Sequence, residues 1–259
     1  MRQQPNYGVD SPAIIATELI LSLIAFGVAA EAPHPLGLPA RWIGLIVGLY
    51  FLLGVLGMVY YSKVGKLKLR DRLLDSIPWR GDERALDVGC GRGLLLIGVA
   101  QRLTSGKAVG VDVWVRGALS GNRPEAVFEN ALRADVAERV EVREGDARRL
   151  PFDDASFDVV VSNFVLHELK TSAEREKMAQ EIVRVLKPGG RLALIDFIFT
   201  GECVEALRKN GASDARRSRI GVVSFWFQAI LTLGANQLHQ VLGRRDSSES
   251  GGGPSAPGI

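Results

Sequence analysis

The sequence predicts a doubly wound α/β domain preceded by two apolar helices. Three observations carry that expectation. Residues 13–30 and 42–61 are almost free of charge. From about residue 80, short apolar runs alternate with helical patterns. A glycine-rich turn, "DVGCGRG" at 87–93, closes the first of those runs. Strands alternating with helices argue a mostly parallel sheet covered on both faces. Ligands of such sheets bind outside the carboxyl ends of the strands, beside the first strand.

In chain order, the apolar segments come first. "AIIATELILSLIAFGVAA" (13–30) has Glu18 as its one charge, and "WIGLIVGLYFLLGVLGMVYY" (42–61) has none. About 20 such residues cross the hydrocarbon core of a bilayer. The first segment is slightly short and carries Glu18 near one end, where the carboxylate snorkels or faces its partner helix. "EAPHPLGLPAR" between them makes a turn from three prolines. A membrane hairpin is therefore expected within residues 1–62. Trp42 and the pair Tyr60 and Tyr61 bracket the second segment as interfacial aromatic residues do. Residues 63–80 hold six Lys or Arg, against Arg2 and Arg41 before them. The positive-inside rule then places this end, and the domain after it, on the cytoplasmic side. Gly44 and Gly48 form a GxxxG that serves either packing within the hairpin or a homodimer. The competing readings are a buried core helix at 42–61 and a signal peptide ending at the "AEA" of 30–32.

Residues 63–80 read as a basic juxtamembrane helix, with Leu67, Leu69, Leu73, Leu74 and Ile77 on an apolar side and Pro78 as its stop. Its bases either face solvent or attract anionic lipid.

Strands are expected at 84–90, 108–113, 140–146, 157–164 and 191–197, and helices at 94–103, 124–138 and 172–187. The last helix has Ser172 as its N-cap, with Pro188, Gly189 and Gly190 as its stop. "IGVVSFWFQAILTLG" (220–234) is short for a membrane span. Its β-branched and aromatic residues favour a strand hairpin that closes the sheet at seven strands, with an interfacial helix as the alternative. The domain thus covers 81–242. From Gly243 the chain is Gly/Ser/Pro-rich, and disorder is expected there. Two cysteines, Cys90 and Cys203, make no disulfide framework, and no His/Cys cluster has metal-ligand spacing. A net charge of +3 argues against a nucleic-acid partner.

The glycine turn departs from the dinucleotide fingerprint G-x-G-x-x-G/A. Gly89, Gly91 and Gly93 give G-x-G-x-G, and Leu94 stands where that fingerprint wants a small residue. "LDVGCGRG" resembles instead the first motif of class I S-adenosylmethionine-dependent methyltransferases. The resemblance continues in order through 84–200, with "GVDVW" ending strand two, "GDARRLPF" after strand three, "FDVVVSNFVLHEL" at strand four and "VLKPGGRLALIDF" at strand five. It is nearest to the branch that methylates small molecules, including quinone-type substrates.

The resemblance implies a Rossmann-like, seven-stranded doubly wound sheet and S-adenosylmethionine as cofactor. It also implies the site residues. Gly89, Gly91 and Gly93 let backbone approach the ligand, and the helix start offers N–H groups to its carboxylate. Asp87 accepts from the ammonium. Asp112 reaches the ribose hydroxyls, by the logic of dinucleotide sites. Val113 packs on the adenine, Asp146 accepts from its amino group with the Ala147 backbone alongside, and Asn163 lies beside the methionine part. Singly, the glycines can be no more than a turn and Asp146 no more than a cap. Cys90 reads as a small turn residue and Cys203 as structural.

Methyl transfer from a sulfonium is an in-line displacement, so the protein mainly positions and deprotonates the acceptor. His167 is the candidate base, or else it merely starts a helix and lines the pocket. Glu168 and Asp196 are weaker candidates. "SNFV" stands where nucleobase and glutamine methyltransferases carry an "NPPY"-type signature. The expected protein is a methyltransferase anchored in the cytoplasmic membrane. Its acceptor would be a small, lipophilic molecule such as a quinone, an isoprenoid or a lipid headgroup. A catalytically silent, membrane-tethered S-adenosylmethionine sensor and a nicotinamide oxidoreductase are the alternatives.

Overall fold

The computed structural model describes residues 4–31, 38–115, 119–220 and 238–247. Two long apolar helices, α1 (Pro12–Glu31) and α2 (Leu38–Tyr60), pack antiparallel. Gly44 lies against Ala25 and Ala29, and Gly48 against the ring of Phe26. A Cβ on Gly44 would sit 2.7 Å from the Ala25 carbonyl oxygen. The small residues thus let the backbones approach, and α1 itself covers the GxxxG face. Ser22 Oγ donates to Gly48 O at 2.9 Å. Glu18 shares this buried face at 9% exposure. It faces the helix pair rather than snorkelling. Both helices are long and apolar enough to cross a membrane.

The chain continues from α2 through five residues of π-helix (Tyr61–Gly65) into α3 (Lys66–Asp75). The bases of this segment do not form one solvated face, because Lys66 is buried. The apolar side of α3 packs into the domain core through Leu69, Leu73 and Leu74. The helix ends at Asp75, ahead of Pro78. Residues 4–10 belong to the domain rather than to the hairpin: Tyr7 is buried in the same core.

Seven strands form one sheet, β1 (Arg84–Val88), β2 (Lys107–Asp112), β3 (Val140–Glu144), β4 (Phe157–Asn163), β5 (Leu186–Asp196), β6 (Arg216–Arg219) and β7 (His239–Arg244). Their order is β3-β2-β1-β4-β5-β7-β6. The first five are parallel, β7 runs antiparallel to β5, and β6 antiparallel to β7. Side chains of a strand alternate between faces. Ala85, Val159, Val161, Ala193 and Ile195 join the core under α3, α4 (Leu94–Ala100) and α5 (Pro124–Arg133). Leu86, Val160, Leu192 and Leu194 join the core under α6 (Ser172–Val185) and α7 (Thr200–Lys209). Burial on both faces explains why the strands read as continuous apolar runs.

Several boundaries differ from expectation. The N-cap of α6 is Thr171, whose side chain accepts from Glu174 N while Glu174 reaches back to the cap. This reciprocal box satisfies two orphan donors, and Ser172 is the first helical residue. The helix ends at Val185, and Pro188, Gly189 and Gly190 lie inside β5. The helix expected over 124–138 stops at Arg133. Asp135 takes φ 63°, and a 3-10 turn covers Ala137–Arg139. The expected closing hairpin at 220–234 falls, beyond Ile220, outside the described residues. The sheet is closed by β6 and β7, which flank that run. Order continues past Gly243: Gly189 N donates to Arg245 O and Arg245 N to Gly190 O. Those bonds satisfy backbone groups at the start of β5.

Candidate functional site

The chain turns away in opposite directions from β1 and β4, which are neighbours, so a crevice opens at their carboxyl ends. The glycine turn leaves β1 there. Gly89, Gly91 and Gly93 take φ of 73°, 52° and 85°. Gly89 N and Cys90 N both donate to Val111 O, stitching the turn to β2. Gly89 also has no room, since a Cβ would lie 2.2 Å from Val165 Cγ2. Left-handed backbone and side-chain overlap both oppose any other residue. If the turn takes S-adenosylmethionine, Gly89→Ala is expected to weaken S-adenosylhomocysteine binding by about tenfold or more. Calorimetry on the full chain measures it, and unchanged affinity would remove the turn from the binding site.

Asp87 is buried, and its carboxylate accepts from Leu96 N at 2.9 Å in the first turn of α4. Burial pushes its pKa up to about 8; the Leu96 N–H opposes the shift and the charge of Asp112 adds to it. Asp112 ends β2 and clasps the turn. One oxygen accepts from Gly91 N and the other from Trp114 N, each at 2.7 Å. Trp114 Nε1 completes the clasp by donating to Gly91 O at 3.1 Å. Sequence reasoning passed over Trp114; its place two residues beyond the strand-two acid was the available signal. Val113, 50% exposed, lines a cavity of about 360 Å³ with Trp114, Pro124, Phe128, Val142 and Glu144.

Asp146 lies on the turn after β3, where Gly145 N donates to Asp112 O at 3.0 Å. Its carboxylate takes the backbone N–H of Arg148 at 2.8 Å and the guanidinium at 2.6 Å, which also binds Glu174. The Arg148 hydrogen bond holds its pKa below the usual carboxylate range. Ala147 packs against the α6 side of the core. Asn163 ends β4 opposite Ile195 and makes no side-chain hydrogen bond among the described residues.

His167 lies in the 3-10 turn Leu166–Glu168. Its Nδ1 is 3.2 Å and 3.3 Å from the two oxygens of Asp196, which ends β5 and is fully buried. Nε2 is 3.3 Å from Glu168 Oε1. Burial works against charge on the ring, but the Asp196 hydrogen bond and charge, with Glu168, outweigh it and raise the His167 pKa. Phe197 packs on the ring at 4.7 Å and Phe164 at 6.1 Å. Phe164 in turn meets Tyr61 at 6.5 Å. Tyr61 opens the π-helix at the end of α2, so the long apolar helix ends against the aromatic surroundings of His167. π-Bulges recur at functional sites. From sequence, Tyr61 reads only as an interfacial residue, and Asp196 only as a secondary candidate.

Residues 86–194 match the family described as methyltransferase domain. The match runs from β1 to β5 and holds the glycine turn, Asp112, His167 and the strands that place them. Residues 86–194 are thus similar to a methyltransferase domain. The chain is similar to 27-O-demethylrifamycin SV methyltransferase of Amycolatopsis mediterranei, with 40% identity over 133 residues, 51% of this chain and 45% of the relative. It is also similar to demethylmenaquinone methyltransferase of Lactiplantibacillus plantarum, with 33% identity over 128 residues, 49% of this chain and 50% of the relative. The chain therefore spans about half the length of these curated relatives. The cyclase SpnF, a solved structure, shares the fold at a TM-score of 0.52 and 22% identity, covering 70% of this chain and 81% of that one.

Proposed function

We propose that the protein is a membrane-anchored methyltransferase that moves the methyl group of S-adenosylmethionine to a small, lipophilic acceptor at the cytoplasmic face. The observation that carries this is the contact of Tyr61 with Phe164, which joins the end of an apolar helix to the surroundings of His167. An acceptor dissolved in the bilayer would meet the site there at high effective concentration. The run of Lys and Arg after α2 favours the cytoplasmic side. A homodimer through the hairpin would use a face other than Gly44 and Gly48, which α1 covers.

The residues fit S-adenosylmethionine by their chemistry. A glycine turn at positive φ admits backbone contact, and a buried acid beside it suits an ammonium. Asp87 would hold the ammonium, and Gly89, Gly91 and Gly93 the amino-acid end near Asn163. Asp112 would hold the ribose with the lone pairs left by its two N–H partners, and Val113 with Trp114 would cover the adenine. Ala147 remains a backbone candidate at the adenine edge, and Asp146 must yield Arg148 to reach it. When bound, the cofactor supplies an activated methyl on a sulfonium. Asp196 holds a proton on His167 Nδ1, which leaves Nε2 as the basic nitrogen. Nε2 would take the acceptor's proton once the exposed Glu168 carboxylate, 3.3 Å away, moves aside. Phe164 and Phe197 pack against the ring and leave it partly exposed for an acceptor.

The test is label transfer. Membranes carrying the full chain, given methyl-labelled S-adenosylmethionine with either lipid extract or soluble metabolites, are expected to label a lipid species. Label confined to the soluble pool sinks the lipophilic acceptor. Cofactor binding without label in either pool sinks the enzyme reading in favour of a sensor.

A further inference from the structure

Residues 6–10 precede the hairpin, yet they run from its foot to the cofactor turn. Lys66, only 3% exposed, donates to Tyr7 O at 3.0 Å, Gly8 O at 2.9 Å and Asp10 Oδ2 at 3.0 Å. An ammonium has three protons, and here each has an acceptor. Ser62 Oγ donates to the same Asp10 oxygen at 2.9 Å and accepts from Asp10 N at 3.1 Å. Asp10 lies just before α1 and Ser62 just after α2, so these bonds join the two ends of the hairpin.

From this latch the segment reaches the turn by two routes. Asn6 N donates to Asn130 Oδ1 at 2.7 Å, and Asn130 Nδ2 returns a bond to Asn6 O at 2.9 Å and gives another to Arg92 O at 3.1 Å. Val9 N donates to Ser120 Oγ at 2.9 Å and Ser120 N to Val9 O at 3.3 Å. Ser120 O receives Arg92 Nη1 at 2.7 Å. Arg92 stands between Gly91 and Gly93, so both routes end on the turn itself. Glycine backbone has more freedom to lose than any other, and this turn has three. Its order must come from outside, and a buried, fully bonded lysine is a costly feature to keep without a task.

We propose that Lys66 and residues 6–10 form a strap of positioning residues that orders the turn at 89–93 and ties cofactor affinity to the assembled hairpin. This rests on the reading of that turn as the S-adenosylmethionine site. An unstrapped turn would be competent for only part of the time, which reduces apparent affinity by that fraction. The chemistry at His167 is left alone.

The experiment uses the full chain in lipid nanodiscs. Lys66→Met and Ser120→Ala are compared with Lys63→Met, which removes an exposed base from the same segment. S-Adenosylhomocysteine affinity is read by calorimetry, amide exchange at 89–93 by mass spectrometry, and KM and kcat on the labelled pool. The strap variants are expected to lose about tenfold in affinity and raise the KM for S-adenosylmethionine alike, with faster exchange at the turn, while kcat stays within about threefold. Lys63→Met is expected to change nothing. Ser120→Ala carries the test alone should Lys66→Met not fold. Wild-type affinity and exchange in the strap variants overturn the inference. An unaltered chain that binds no S-adenosylhomocysteine overturns the reading of the turn, and the strap with it.

Discussion

Asp196→Asn is expected to lower turnover by about 10²-fold or more and to move the acid limb of its pH profile downward. Two opposed effects act on His167. Burial disfavours the imidazolium, while the Asp196 carboxylate at 3.2 Å, with Glu168, favours it and prevails. If, as proposed, the neutral ring is the base, the rate should climb as pH rises through a value above the ordinary 6.5. With the amide in place the charge is gone, burial is less opposed, and the limb falls to lower pH. The plateau falls as well, because an amide no longer fixes the tautomer that bares Nε2. Stability follows the same linkage. A group whose folded pKa is raised contributes fully below its unfolded pKa and loses that contribution as pH rises through the folded value. The unaltered protein should therefore lose His167–Asp196 stabilisation toward alkaline pH, and the variant should lack that slope. Turnover and thermal midpoints across about pH 5 to 9 decide it. An unmoved acid limb would show that His167 is not the base.

Asp87→Asn is expected to stabilise the free protein near neutral pH while weakening S-adenosylhomocysteine binding by about tenfold or more, roughly 1.4 kcal/mol. Burial lifts the Asp87 pKa to about 8, against 3.8 for an ordinary aspartate. The raised value means that its contribution to stability is full below the unfolded pKa and is lost as pH rises toward and through 8. An asparagine keeps the Leu96 N–H bond without that loss, so the thermal midpoint should rise. Near pH 7 the free site holds a proton on Asp87. An arriving ammonium favours the carboxylate, so binding should release a proton from Asp87. Calorimetry in two buffers of different ionisation enthalpy counts that proton. Release of a full proton by Asp87→Asn as well would remove Asp87 from the role.

What could be read from the chain follows from how near each residue's partner lies. The strands were legible because burial on both faces needs only an apolar run. The glycine turn was legible because glycine is the residue that takes positive φ without steric cost. The capping box was readable in principle, yet Ser172 was preferred to Thr171, although Glu174 stands at the box spacing from Thr171 alone. Side-chain partners were less accessible. Asp112 was expected to face a ribose, and it also holds the turn through Gly91 and Trp114. Asp146 was expected to accept from an adenine amino group or to cap a turn, and Arg148 engages its carboxylate.

By itself the sequence determined the alternation of strands and helices, two helices of bilayer length, and a glycine turn with acids near the ends of β1 and β2. Those depend on period, length and backbone freedom, which are local properties. Only the tertiary structure decided that Lys66 is buried on Asp10, that His167 is held by Asp196, and that Tyr61 meets Phe164. Each of these pairs joins residues far apart in the chain. What a charged or aromatic side chain does there is set by the group that folding places within a few ångströms, and by how much water folding removes from between them.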